Sequence, residues 1–326
     1  MSDFVISLDF ELFWGVADSR TIAGYRHNIE GEWEAIPKML DLFQRYEIRA
    51  TWATVGMLMC RNYSQWREIR PSVLPGYERR ECSTYSLDEV VRENPKLFFA
   101  RPLVEQILDT EGQELATHTY SHFYCGEAGA TPEQFAADVI CQQSIFSEYG
   151  IKATSLVLPR NQVKEDYLRI AAAYGITAYR GNQDHWLYRD GHFTPYGSIG
   201  RLVRKTDGYL PLSGDHVSYP EQCVVAGVPV NVPASCFLRP STNFRILDSL
   251  HLLRVKRGML EAARTDGIFH LWWHPHNFGT NLEQNLSNLE SLLKFYLFLA
   301  DKYGMRSVAM ADVGNASRLM PMSVGI

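Results

Sequence analysis

The chain has 326 residues, 46% of them hydrophobic and 21% charged, with a formal net charge of −5. That composition excludes a disordered or fibrous protein, and the acidic balance argues against a nucleic-acid partner held by bulk electrostatics. No apolar run reaches the length of a membrane span. The start, MSDFVISLDF, runs directly into a strand pattern and lacks the basic, apolar and small-residue order of a secretory leader. We therefore expect a cytoplasmic protein. Its six scattered cysteines (Cys60, Cys82, Cys125, Cys141, Cys223 and Cys236) should be reduced thiols.

In chain order, residues 4–8 form a short β-branched apolar run that ends in Asp9, Phe10 and Glu11. Residues two apart on a strand share a face, so Asp9 and Glu11 can enter one cavity. Residues 15–31 read as a polar loop, and 32–46 as a helix with apolar residues at helical spacing. A second strand is expected at 50–55. Residues 56–100 fit no regular alternation and read as a long functional loop or small insertion. A short helix at 102–110 and a strand at 114–117 lead into His118 and His122. Thr131 followed by Pro132 starts a helix that Gly150 ends. Strands are expected at 154–158 and 176–179, a helix at 165–174, and a loop-rich stretch around 182–245 holding one strand at 228–233. Helices at 248–264 and 281–303 flank a strand at 268–273, and a last strand lies at 307–310. The basic pairs Arg79–Arg80 and the cluster at 201–205 read as solvated loops.

Strand and helix alternate throughout, which predicts a largely parallel sheet. In such sheets the reacting site gathers at the carboxyl ends of the strands. Asp9, Glu11, His118, Arg160, Arg180 and His274 all fall at such ends. His118 and His122, four apart, lie on one side of a helical or tight turn and can share a metal ion. Two imidazoles and a carboxylate make a catalytic ligand set with open positions. Glu11 or Asp9 would complete it, and the other carboxylate would serve as a base. His274, from a different strand, is placed to protonate a leaving amine. Arg180 reads as an ordinary salt-bridge partner at a barrel rim, and Cys125 as a buried thiol.

The ordered series SLDFE (7–11), THTYSH (117–122), LPRNQ (158–162) and HLWWHPH (270–276) resembles the polysaccharide deacetylase family, the NodB-like carbohydrate esterases. The resemblance covers most of the chain. It implies a distorted, incompletely closed (β/α) barrel of about seven parallel strands in a single domain spanning 1–326, with insertions around 56–100 and 182–245. It also implies a divalent metal, with zinc preferred. By position, Asp9 resembles the family's base, Glu11, His118 and His122 its metal ligands, Arg160 the arginine that orients the base, and His274 the general acid. Trp14, Trp273, Asn161 and His276 are expected substrate contacts, with Trp272 also available to stack on a sugar. Two departures stand out. Asp9 and Glu11 are separated by Phe10 where the family has adjacent aspartates, and Arg160 follows its proline where the family's arginine precedes it. His276 competes with His274. The expected activity is removal of an N-acetyl group, or an N-formyl or O-acetyl group, from an amino sugar. A nucleotide- or lipid-linked precursor of a surface polysaccharide fits a cytoplasmic enzyme. An amidohydrolase on a small amide or ureide, and a catalytically silent carbohydrate-binding barrel, are the alternatives.

Overall fold

The computed structural model describes residues 1–189, 197–220, 224–242 and 244–319, without the side chains of 318 and 319. Cys223 lies outside the described residues. Nine strands appear among them: β1 (Asp3–Phe10), β2 (Ala50–Thr54), β3 (Gln113–Thr117), β4 (Ser155–Leu156), β5 (Ala178–Tyr179), β6 (Val230–Asn231), β7 (Cys236–Phe237), β8 (Ile268–Trp273) and β9 (Arg306–Val308). The helices are α1 (Ile22–Arg45), α2 (Tyr63–Glu68), α3 (Asp88–Glu93), α4 (Arg101–Asp109), α5 (Pro132–Ser147), α6 (Glu165–Ala173), α7 (Gly197–Asp207), α8 (Arg245–Thr265), α9 (Leu282–Tyr303) and α10 (Met310–Leu319).

The strands form one parallel sheet in the order β6-β5-β4-β3-β2-β1-β8-β7. β9 pairs with β1 over Asp3, Phe4 and Val5, just before β2 takes over at Ile6. The two ends of the sheet, β6 and β7, are not paired with one another, so the barrel is incompletely closed. The sheet exceeds the expected seven strands. β7 is only two residues long, and nothing in its local alternation announces it.

Parity decides what each strand buries. On β1, Phe4, Ile6, Leu8 and Phe10 join the large core against the helices. Val5 faces inward with Ala53, Val157, Ala178, Val230 and Ile268, where α10 closes the barrel floor with Met310 and Val313. Above that small apolar plug the inward positions turn polar: Ser7 and Asp9, both buried. The same alternation on β8 sends Phe269, Leu271 and Trp273 to the helices. His270 bonds Ser7, and Trp272 and His274 line the cleft.

Helix α1 begins at Ile22, ten residues earlier than the periodicity suggests, capped by Thr21, whose Oγ1 accepts from the Gly24 N–H. Gly24 and Gly31 and the polar residues between them mask its first turns in the sequence. The stretch 56–100 holds α2, α3 and short 3-10 turns around an aromatic cluster of Trp14, Trp66 and Phe98. The basic cluster at 201–205 lies on a helix, α7, rather than in a loop. Among the described residues no helix is long and apolar enough to cross a membrane. Cys60, Cys82, Cys125, Cys141 and Cys236 are buried free thiols.

Candidate active site

At the carboxyl end of β1, Glu11 turns its carboxylate between two imidazoles. Oε2 lies 3.5 Å from Nε2 of His118 and 3.2 Å from Nε2 of His122. All three side chains are buried. Gly15 makes room for the carboxylate, since a Cβ there would sit 1.9 Å from the Glu11 Cδ. Burial alone would raise the Glu11 pKa. The His274 charge and the bonds to His118 and His122 overcome it and hold the group well below the usual carboxylate range.

The histidines sit on a tight turn after β3, with Thr119 and His122 both at positive φ (64° and 56°). Such backbone is costly for residues with a Cβ and persists only where the surroundings fix it. Here Asp138 of α5 fixes it, accepting from the backbone N–H groups of Tyr120 (2.7 Å) and Ser121 (3.0 Å) and from the Ser121 hydroxyl. Thr119 Oγ1 accepts from the Phe123 N–H at 2.6 Å. His118 donates from Nδ1 to the Val157 carbonyl at 2.8 Å, which fixes the ring with its Nε2 toward Glu11. The ligand atoms of Glu11, His118 and His122 all lie within 4.8 Å of one another. A buried carboxylate and two imidazoles held this way suit a divalent metal.

Asp9, two residues back on the same face, is engaged differently. Arg180, at the end of β5, grips it bidentately, with both bonds 2.7 Å long. Burial raises the Asp9 pKa, but the Arg180 charge, that of His118 and the Arg180 hydrogen bonds more than offset it, so the group is held below the ordinary value. Arg180 is itself almost fully buried. It stacks on Trp272 at 4.1 Å and donates to Ser7 Oγ and to Asn161 Oδ1, each at 3.0 Å. Ser7 in turn bonds His270 Nε2 at 2.8 Å, and His270 Nδ1 donates to the Val232 carbonyl at 3.0 Å. Burial and the Arg180 charge push the His270 pKa down to about 3, so the ring is neutral, with Nε2 free to accept from Ser7.

Arg160, expected to orient Asp9, points elsewhere. Its guanidinium is held by Asp18 and Glu127 and lies 4.1 Å over the Tyr124 ring. The residue has φ of 56°, and the 159–161 turn after Pro159 carries it to the cavity wall, away from β1. Arg180, read from sequence as a rim salt bridge, takes that place. Its signal was its position at a strand end, which the motif order overshadowed.

His274 Nε2 lies 3.7 Å from both Asp9 Oδ2 and Glu11 Oε1, and the side chain is 25% exposed. His276 stacks against it at 5.0 Å but is buried, and burial and the His274 charge bring its pKa down to about 3. A cavity of about 890 Å³ opens over this group, lined by Asp9, Glu11, His118, His122, Asn161, Trp272 and His274, with Arg79, Arg160, Arg201 and Arg204 around it. Three expected substrate contacts fall outside it, the buried His276 among them. Trp14 is buried, donating to the Phe98 carbonyl at 2.7 Å. Trp273 is buried between Phe43 and Phe278. Strand parity gives the cleft Trp272 and sends Trp273 to the core.

Residues 30–179 match the family model described as polysaccharide deacetylase. No curated protein matches the chain by sequence. Among solved structures, the chain is similar to a protein of Mycobacterium smegmatis assigned to the polysaccharide deacetylases, with a TM-score of 0.59 and 13% identity, covering 100% of this chain and 94% of that one. A second, from Pseudomonas aeruginosa PAO1 and assigned likewise, gives 0.54 and 12%, over 98% and 92%. An allantoinase gives 0.53 and 11%, over 96% and 88%. At these identities the likeness is one of fold.

Proposed function

We propose that this chain, which carries a polysaccharide deacetylase domain, is a metal-dependent hydrolase that removes an N-acetyl or N-formyl group from an amino sugar. The observation that carries the reading is the division of labour between the two carboxylates at the carboxyl end of β1: Glu11 faces two imidazoles, while Asp9 is held ionised by Arg180. Glu11, His118 and His122 would hold the ion, zinc by the chemistry of the donor set. Such an ion, when bound, polarises the acyl carbonyl and lowers the pKa of a water.

The chain's own groups do the rest. Asp9 Oδ2, on the side facing His274, takes a proton as the water oxygen adds to the acyl carbon. His274 Nε2 delivers a proton to the amide nitrogen as the C–N bond breaks, giving a carboxylic acid and a free amine. Arg180 keeps Asp9 ionised and fixes its plane. Trp272 offers a face to a sugar ring, and Asn161 Oδ1 anchors the far side of Arg180.

Two measurements test the reading. Metal analysis of the purified protein should find a divalent ion, lost in His118→Ala and His122→Ala with the fold intact by circular dichroism. Acetate and formate release from N-acylated sugars should be detectable and should vanish in Asp9→Asn, which keeps the metal. Release only from small amides or ureides would replace this reading with an amidohydrolase. No release together with no metal would leave a binding barrel.

A further inference from the structure

Beside the cavity over Asp9 and His274 lies a second chamber of about 270 Å³. The two share Asn161, Arg204, Trp272 and His274 in their walls, so they form one continuous cleft. The chamber's character differs from that of a neutral sugar subsite. Three arginines line it, Arg204, Arg239 and Arg254, and among the described residues no carboxylate does. In a chain with net charge −5, that concentration of positive charge is local and specific.

The chamber is built, and its arginines are held in place. Arg254 is anchored to the buried Asp207 at 3.0 Å. Arg239 reaches the backbone carbonyls of Arg204 and Lys205 at the end of α7, at 3.5 and 3.4 Å. Arg204 lies 4.8 Å over the Tyr188 ring. Buried His251 ties two walls together: its Nδ1 donates to the Gly208 carbonyl at 2.7 Å, and its Nε2 accepts from the Arg239 N–H at 3.0 Å. Gly208 leaves the space that the Arg239 guanidinium fills, since a Cβ there would stand 2.1 Å from Arg239 Nε. Burial depresses the Arg204 pKa, and the nearby Arg239 charge adds to the effect.

We propose that this chamber binds a phosphate ester of the substrate, so that the acylated sugar lies under His274 with its phosphate held by Arg204 and Arg239. The proposal rests on the deacetylase reading and specifies the substrate as a sugar phosphate or diphosphate. Guanidinium forks match tetrahedral oxyanions, and several converging on one small chamber suit a dianion better than a single carboxylate. At about 270 Å³ the chamber takes the phosphate groups and leaves whatever carries them, nucleotide or lipid, outside it.

The test does not need turnover. Calorimetry with inorganic pyrophosphate on the zinc-loaded protein should show binding that weakens by roughly tenfold or more in Arg239→Gln. Gly208→Ala, which displaces the same guanidinium from the opposite wall, should weaken it likewise. Melting temperatures check that both variants fold. His118→Ala, which lacks the metal ligand, should keep the affinity. No binding to the wild type, equal binding to Arg239→Gln and Gly208→Ala, or loss in His118→Ala alone would overturn the site. Tighter Arg239-dependent binding of glucuronate than of pyrophosphate would overturn the phosphate assignment. Uridine diphosphate and a short-chain polyprenyl diphosphate are compared at equal concentration. Arg239-dependent binding of either supports the site, and the tighter of the two names the carrier. If pyrophosphate binds as described and no sugar phosphate is deacylated, the deacetylase reading fails and the anion site stands.

Discussion

Asp9 receives both prongs of Arg180, and that fork is itself fixed from behind by Ser7 and the neutral His270. A lysine can supply the charge but not the two parallel bonds. Arg180→Lys should therefore retain metal and lower kcat on the order of a hundredfold through misorientation of the base, whereas Arg160→Lys should leave kcat within a few-fold. Steady-state kinetics on any turned-over substrate separate the two. Glu32 of α1 makes a different prediction. It is fully buried, neither carboxylate oxygen has a hydrogen-bond partner among the described residues, and burial, with the Glu11 charge adding to it, raises its pKa well above the ordinary value. A raised carboxyl pKa means that the folded state holds its proton where the unfolded chain has lost it. Its contribution is therefore present below the unfolded value and is lost as pH rises toward the folded one. Glu32→Gln removes that dependence. Its melting temperature relative to wild type should be close to unchanged near pH 4 and increasingly higher toward neutral pH; a constant difference would refute the buried-acid account.

Helix α5 links capping to the site. Thr131 and Gln134 form a reciprocal capping box at its start, and Asp138, about two turns on, clamps the turn that carries His118 and His122. Thr131→Ala should cost about 1 kcal/mol of stability and lower the melting temperature by roughly 1–2 °C. Metal content should not change, because the fray stops short of Asp138. At this scale the sequence was legible where local chemistry was decisive. The Thr131-Pro132 start, the Gly150 stop and the strand ends at Asp9, His118 and His274 all follow from residue-level rules. Long-range packing was not legible. β7 exists because β8 offers it a partner. α1 gains its first turns despite two glycines, and only the pairing of distant strands brings Arg180, rather than Arg160, to Asp9. Trp272 and Trp273 were separable in principle, since parity along β8 follows once His274 is placed at its end.

For the molecule as a whole, a bound ion would join β1 to the turn after β3, so metal and stability should be linked. A metal that binds only the folded form at a hundred times its Kd stabilises by about 2.7 kcal/mol. Chelation should lower the melting temperature, zinc should restore it, and His122→Ala should respond to neither; equal responses in both proteins would place the ion elsewhere. The arrangement of strands around β1 has a further bearing, on the order in which the protein can be assembled. β1 carries Asp9 and leads directly into Glu11, yet its neighbours on one side and at its base, β8 and β9, are drawn from the far end of the chain. Arg306 closes on Asp3 across 303 positions of sequence. Contacts of that separation form late and slow the folding rate. During synthesis the earliest strand must wait for nearly the whole chain before its two carboxylates acquire a fixed address, and until then the histidines have no partner to share an ion with.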